Sequence, residues 1–121
     1  MRILIKRVYD DRSGSDGYRA LVDRLWPRGM TRDAAELDVW AKEIAPSSEL
    51  RRSFAHMPDR FAAFRRAYLD ELRANAPAVR SFLEQARESG ESALTLLYAA
   101  KDPACNHAIV LAEHLEGLAG G

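Results

Sequence analysis

Residues 2–9, RILIKRVY, are a short β-branched run closed by the polar loop Asp10–Gly17, a pattern that predicts a strand. Residues 18–25, YRALVDRL, predict a second. The loop between them is shorter than the dozen or so residues of a helical crossover. Asp16-Gly17 within it is turn chemistry. An antiparallel pair is therefore the expectation. In the following WPRG, Pro27 stops pairing and Gly29 permits a tight loop.

The period then changes. Thr31 is placed to cap a helix running to about residue 44, with Leu37, Trp40, Ala41 and Ile44 on one face. Ala45-Pro46 ends it, and Ser47 caps a short second helix with Glu49 in its first turn. Pro58 suits the start of a third, where Phe61, Phe64, Tyr68 and Leu72 recur at helical spacing. After Asn75–Pro77 a fourth stripe runs through Val79, Phe82, Leu83 and Ala86 to Gly90. Residues 93–100, ALTLLYAA, are almost wholly apolar and short, as a strand buried on both faces must be. Asp102-Pro103 then predicts the start of a last helix ending near Gly117. The expected fold is α/β: a small mixed sheet, strands near 2–9, 18–25 and 93–100, covered on both faces by about five helices.

With 121 residues, 47% hydrophobic and 30% charged, the chain suits one globular domain, residues 1–121, with a core that needs neither disulfide nor metal. Cys105 is the lone cysteine, and the apolar start is broken at Lys6 and Arg7, so neither a disulfide, a signal peptide nor a membrane span is expected. The expected compartment is the cytoplasm. Net charge is zero, but the charge is unevenly spread. Residues 1–32 carry eight Lys/Arg against four Asp/Glu, residues 33–50 one against five, and residues 51–66 five against one. Fifteen of the eighteen basic residues are arginine, which matches carboxylate or phosphate in bidentate fashion.

Two segments carry candidate chemistry. In YAAKDPACNH, residues 98–107, a buried strand ends, Lys101 follows, and a helix begins around Asn106 and His107. Helix starts favour anions, and ligands of open α/β sheets collect beyond the carboxyl ends of strands. The plainer reading is an ordinary strand-to-helix connection. In LVDRLWPRG, residues 21–29, Asp23 and Arg24 point to opposite sides of a regular strand. Set in an apolar run, each needs a partner. The segment reads equally as part of a site with Arg28 or as a structural pair, Asp23 with Arg19, Arg51 or Lys42. His107 and His114 share a helix face without a convergent carboxylate or second cysteine, so no metal site is expected. Cys105 has no adjacent base and reads as a small buried side chain. His56, just before the third helix, reads as a cap or bridge. No phosphate-binding glycine loop or nucleophile elbow is present.

The segments LVDRLWPRGM (21–30), WAKEIAPSSELRRSF (40–54), His56 to Leu72, and LLYAAKDPACNHAIVLAEHL (96–115) together resemble the family of domain of unknown function 488, in its YeaO-like branch. The likeness runs through nearly the whole chain in order. It implies a compact α/β domain and no particular reaction or cofactor. The polar positions matching the family pattern are Arg7, Asp23, Arg24, Arg28, Lys42, Arg51, His56, Lys101, Asn106 and His107. Longer relatives often carry a Cys-His-Arg run near the last helix. Here Asn106-His107-Ala108 stands there, with Cys105 one place earlier, so cysteine chemistry does not carry over. Met57 also replaces the acidic residue typical before Pro58.

Three functional readings follow. One is a domain binding, or acting on, a small phosphate- or nucleotide-like anion through Lys101, Arg24, Arg28 and the last helix start. The second is nucleic-acid association through the basic segments 1–32 and 51–66, without a recognisable recognition element. The third is a protein-interaction module.

Overall fold

The computed structural model describes residues 1–120. The chain runs β1 (Arg2–Arg7), β2 (Tyr18–Leu21), α1 (Arg32–Ala35), β3 (Val39–Trp40), α2 (Ser48–Phe54), α3 (Phe61–Ala74), α4 (Ala76–Glu88), β4 (Ala93–Tyr98) and α5 (His107–Gly120). The class is α/β, with four strands and five α-helices among the described residues. All the strands are parallel, in the order β1-β4-β2-β3.

The expected antiparallel pairing of the first two strands is corrected by this order. β1 and β2 do not pair with each other. Each pairs with β4, which lies between them: Leu4 sits opposite Thr95, and Ala20 opposite Leu96. The link from Val8 to Gly17 only has to return along one short strand. Ten residues can span about 33 Å, ample for a strand of roughly 20 Å. No helix is needed. A 3-10 turn at Gly14–Asp16 completes the return, and Gly17 enters β2 at φ 66°. A side chain on Gly17 would run into the Ala93 carbonyl, so only glycine permits this approach to the central strand.

β4 is buried along its whole length, as its apolar run predicts. Alternate residues feed two clusters. Leu94, Leu96 and Tyr98, with Ala20 and Val22, pack against α3, α4 and α5. Leu97 and Leu21 face the other way, onto Val8, Ala35, Trp26, Met30, Leu37 and Trp40. That second face is covered chiefly by the excursion between β2 and β3 rather than by long helices.

The helix expected over residues 31–44 is replaced by a one-turn α1, the two-residue β3 and a 3-10 turn at Lys42–Ile44. Thr31 does cap α1, accepting from the Ala34 N–H at 3.0 Å. The helix ends at Glu36, whose φ of 47° is left-handed. Val39 and Trp40 then add to the sheet edge beside Ala20 and Leu21. Ser47 caps α2 through the Leu50 N–H, while its own N–H and hydroxyl donate to Glu71 of α3 at 2.9 and 2.6 Å. The last helix begins at His107 rather than Pro103, because Asp102 caps a separate turn ahead of it. Strands 1, 2 and 4 also stop earlier than expected, at Arg7, Leu21 and Tyr98. Of the freed residues, Asp23, Arg24 and Leu25 after β2 and Ala99 and Ala100 after β4 build the cleft.

Candidate functional site

Because the strands are parallel, their carboxyl ends share one edge of the sheet. Beyond β2 and β4 at that edge lies a cleft of about 760 Å³. Asp23, Arg24 and Leu25 enter it from β2, and Ala99 to Asp102 from β4. Asn106 and His107 come from the start of α5. Ser48, Arg51, Arg52 and Phe54 come from α2, His56 from the turn after it and Phe64 from α3.

Asp23 lies two residues past β2 and is mostly buried. One oxygen, Oδ2, accepts from the Ala99 N–H at 3.0 Å. The other, Oδ1, lies 2.8 Å from His107 Nε2. The ring is turned so that this close contact is not an aligned hydrogen bond, and neither buried atom has another partner. The Trp40 indole holds the Asp23 carbonyl at 2.7 Å. The structural partners expected for Asp23 are corrected accordingly. Arg19 goes to Asp16, and neither Arg51 nor Lys42 pairs with Asp23.

Arg24 lines the cleft with much of its guanidinium engaged. Nε donates to the Pro46 carbonyl at 2.9 Å and Nη2 to Ala45 at 3.1 Å, which ties β2 to the entry of α2. Asn106 is buried and likewise engaged. Its Oδ1 caps the Ile109 N–H at 3.1 Å, and Nδ2 donates to the Asp102 carbonyl at 2.9 Å. Asp102 Oδ1 accepts from Ala104 and Cys105 N–H. These three side chains shape the walls. Among the described residues, Arg51, Arg52 and Lys101 have no side-chain ion pair.

His56 reaches the cleft through an unusual backbone. Ala55 and His56 are both left-handed, with φ of 50° and 56°. Such residues are disfavoured outside glycine, and a consecutive pair costs on the order of 1–2 kcal/mol per residue. The His56 ring lies 6.0 Å from that of Phe54, which stacks at 4.6 Å on Phe64. Behind the site, burial and the nearby Glu71 carboxylate push the Tyr68 hydroxyl well above its ordinary range. It stays protonated and donates to the Ile44 carbonyl at 2.6 Å.

Of the ten polar positions singled out in the sequence, Asp23, Arg24, Arg51, His56, Lys101, Asn106 and His107 meet in the cleft. Arg7, Arg28 and Lys42 do not, and Lys42 lies over the Trp40 ring, 4.9 Å from its centre. Arg7 works from behind, donating to the carbonyls of Ala100 and Ala99, both at 3.1 Å, and so fixing the backbone that forms one wall. Arg28 is exposed in the loop after β2, where its carbonyl accepts from the Tyr9 hydroxyl at 2.8 Å. Sequence reasoning missed Arg52, Phe54 and Phe64. The basic cluster of residues 51–66 was a signal for Arg52, but the two phenylalanines are indistinguishable in sequence from ordinary core positions. No group of three His, Cys, Asp or Glu among the described residues could hold a metal ion, and no helix is long and apolar enough to cross a membrane.

Comparison with known proteins places these features in a family. The model described as "Inactive DUF488-N3 subclade" matches residues 2–119. The chain is 48% identical over 118 residues to the uncharacterised protein YeaO of Escherichia coli, covering 98% of this chain and 100% of that one. It is 40% identical over 116 residues to the uncharacterised protein Mb3100c of Mycobacterium bovis, covering 96% and 95% respectively. No solved structure matches. The chain belongs to the DUF488 family, in its YeaO-like branch.

Proposed function

Within that family, we propose that this chain is a binding domain for a small phosphate- or nucleotide-like anion, held in the cleft beyond β2 and β4. The observation that carries the reading is the convergence of Arg24, Arg51, Arg52 and Lys101 on one concavity whose described lining holds two carboxylates, Asp23 and Asp102. Both carboxylates are engaged with backbone N–H groups. Three of the four cations are uncommitted, and arginine forks suit phosphate oxygens. The volume, about 760 Å³, lies within the range of roughly 300–1,000 Å³ usual for organic ligands. Phe54, Phe64 and Leu25 supply an apolar wall for the rest of such a molecule. The family's description as inactive favours binding over turnover.

The test is thermal unfolding with inorganic phosphate and with a nucleoside monophosphate. A ligand at a hundredfold excess over its Kd adds about 2.7 kcal/mol of stability. Arg51→Ala with Lys101→Ala should abolish the shift, while Arg65→Ala with Arg66→Ala, on exposed α3 positions, should leave it. A nucleic-acid surface predicts instead an affinity that falls steeply with salt and depends on Arg65 and Arg66 as much as on Lys101. Indifference to every phosphate compound, with no retention on DNA or RNA, would leave the interaction module.

A further inference from the structure

The contact between Asp23 and His107 carries a consequence for how that same cleft takes an anion. Ala99 N–H holds Asp23 Oδ2, so the carboxylate cannot swing away from the ring. An ionised carboxylate only accepts hydrogen bonds. With Oδ1 at 2.8 Å, a hydrogen on Nε2 is the favoured arrangement, since a small turn of the ring would aim that N–H at the carboxylate, whereas a lone pair there would repel it. Nδ1 is then the ring's remaining polar atom. His107 lines the cleft with Nε2 buried, and among the described residues Nδ1 has no hydrogen bond and is not buried, which leaves Nδ1 as the polar atom the ring can present there. In a neutral ring protonated on Nε2, Nδ1 is a lone-pair acceptor and repels an oxyanion. With a second proton it becomes a charged donor.

An anion in the cleft would also face the Asp23 carboxylate across the imidazole. A positive ring between two negative groups offsets both. The other charged and titratable groups around the ring are Arg24 beyond β2, Arg51, Arg52 and His56 from α2 and its following turn, and Lys101 and Asp102 ahead of α5. The fixed cations among them attract the ligand but offer no proton switch at the carboxylate itself. We infer that His107, oriented by Asp23, contacts the ligand through Nδ1, and that an oxyanion binds together with one proton taken from solvent onto that ring. Proton and anion then strengthen each other's binding by the same factor. The inference rests on the proposed anion site and adds to it a ligand contact and a pH dependence.

Sulfate is the probe, because it has the shape and charge of a phosphate dianion and does not itself titrate near neutrality. Ring signals of the three histidines are followed by NMR in the intact chain at fixed neutral pH as sulfate is added. Backbone amides around residues 51 and 101 report occupancy. The expected result is that occupancy moves the His107 ring toward its imidazolium position. Sulfate affinity should also weaken, approaching tenfold per pH unit, once the ring is neutral in the free protein. His107→Gln should bind at least tenfold more weakly and without that pH dependence. Occupancy with an unmoved His107 ring and a pH-independent affinity would overturn the inference and leave the anion site standing. Failure of sulfate, phosphate and a nucleoside monophosphate alike to perturb either set of signals would overturn both. The wild-type titration decides the matter even if His107→Gln does not fold.

Discussion

Two charged clusters flank β2, and they are built to different standards. At its start, Arg19 is almost wholly inaccessible yet fully engaged. It pairs with Asp16 and donates to the carbonyls of Ala35 and Glu36 at 2.8 and 3.0 Å. Asp16 also takes Lys6 at 3.2 Å and the Ser13 N–H at 3.0 Å, while its carbonyl accepts from Thr95 at 2.7 Å. Just past the end of β2, Asp23 and His107 are buried with one unaligned contact between them and an atom of each left without a hydrogen bond. Buried polar groups are ordinarily satisfied, so the second arrangement is the exception that calls for a reason. The first cluster closes the return loop onto the central strand. The second lines the cleft, with both unpartnered atoms buried between the two side chains.

The largest expected effect falls on the satisfied cluster. Arg19→Ala leaves a buried carboxylate and two carbonyls short of donors, which costs about 3–5 kcal/mol. Chemical denaturation of the variant would measure it, and a loss below about 1 kcal/mol would undo the contrast. Gly17→Ala belongs to the same device. Both its positive φ and the Ala93 carbonyl oppose a side chain, so a loss on the order of 2–4 kcal/mol is expected.

At the other end, Asp23→Asn should be mild, under about 1 kcal/mol, because the amide oxygen can still accept from the Ala99 N–H. Asp23→Ala orphans the Ala99 N–H and should cost about 1–3 kcal/mol. Paired melting curves of the two variants separate loss of charge from loss of the acceptor. If Asp23→Asn proves as damaging as Arg19→Ala, the Asp23 cluster is structural after all.

Acid should distinguish the clusters as well. Burial alone would push the Asp16 carboxyl up, but the Ser13 N–H, Lys6 and Arg19 outweigh it and hold the group below its ordinary value. A depressed carboxyl contributes stability that is complete above the ordinary value and is lost as pH falls through the folded one. Asp16→Asn should flatten that part of the acid limb in a stability-versus-pH series. A smaller term comes from His114, whose pKa is lowered first by burial and then by Arg73. Its contribution is present above the ordinary histidine value and declines as pH falls from there toward the lowered one. His114→Gln should remove only that slope. Smallest of all is the pair of Arg65 and Glu113, about half exposed on both sides, where Arg65→Ala should cost less than about 1 kcal/mol.

What the chain declares locally can be read from it directly. The apolar run of β4, the stripes of α3 and α4, and the caps at Thr31 and Ser47 are all matters of period and neighbouring residues, and so is the α/β class they imply. The meeting of Lys101, Asn106 and His107 is also local, since ten consecutive residues hold them. Strand order is not local. A short β-branched run looks the same whichever strand it joins, and only burial of β4 on both faces sets it between β1 and β2. The two-residue β3 was hidden inside an apparently helical pattern because an edge pairing so brief leaves no period of its own. The partner of Asp23 was beyond reach for a related reason. Arg19, Arg51 and Lys42 were all plausible by charge, and the choice fell to His107 because the parallel sheet brings the end of β2 beside the start of α5, residues 84 positions apart in the chain.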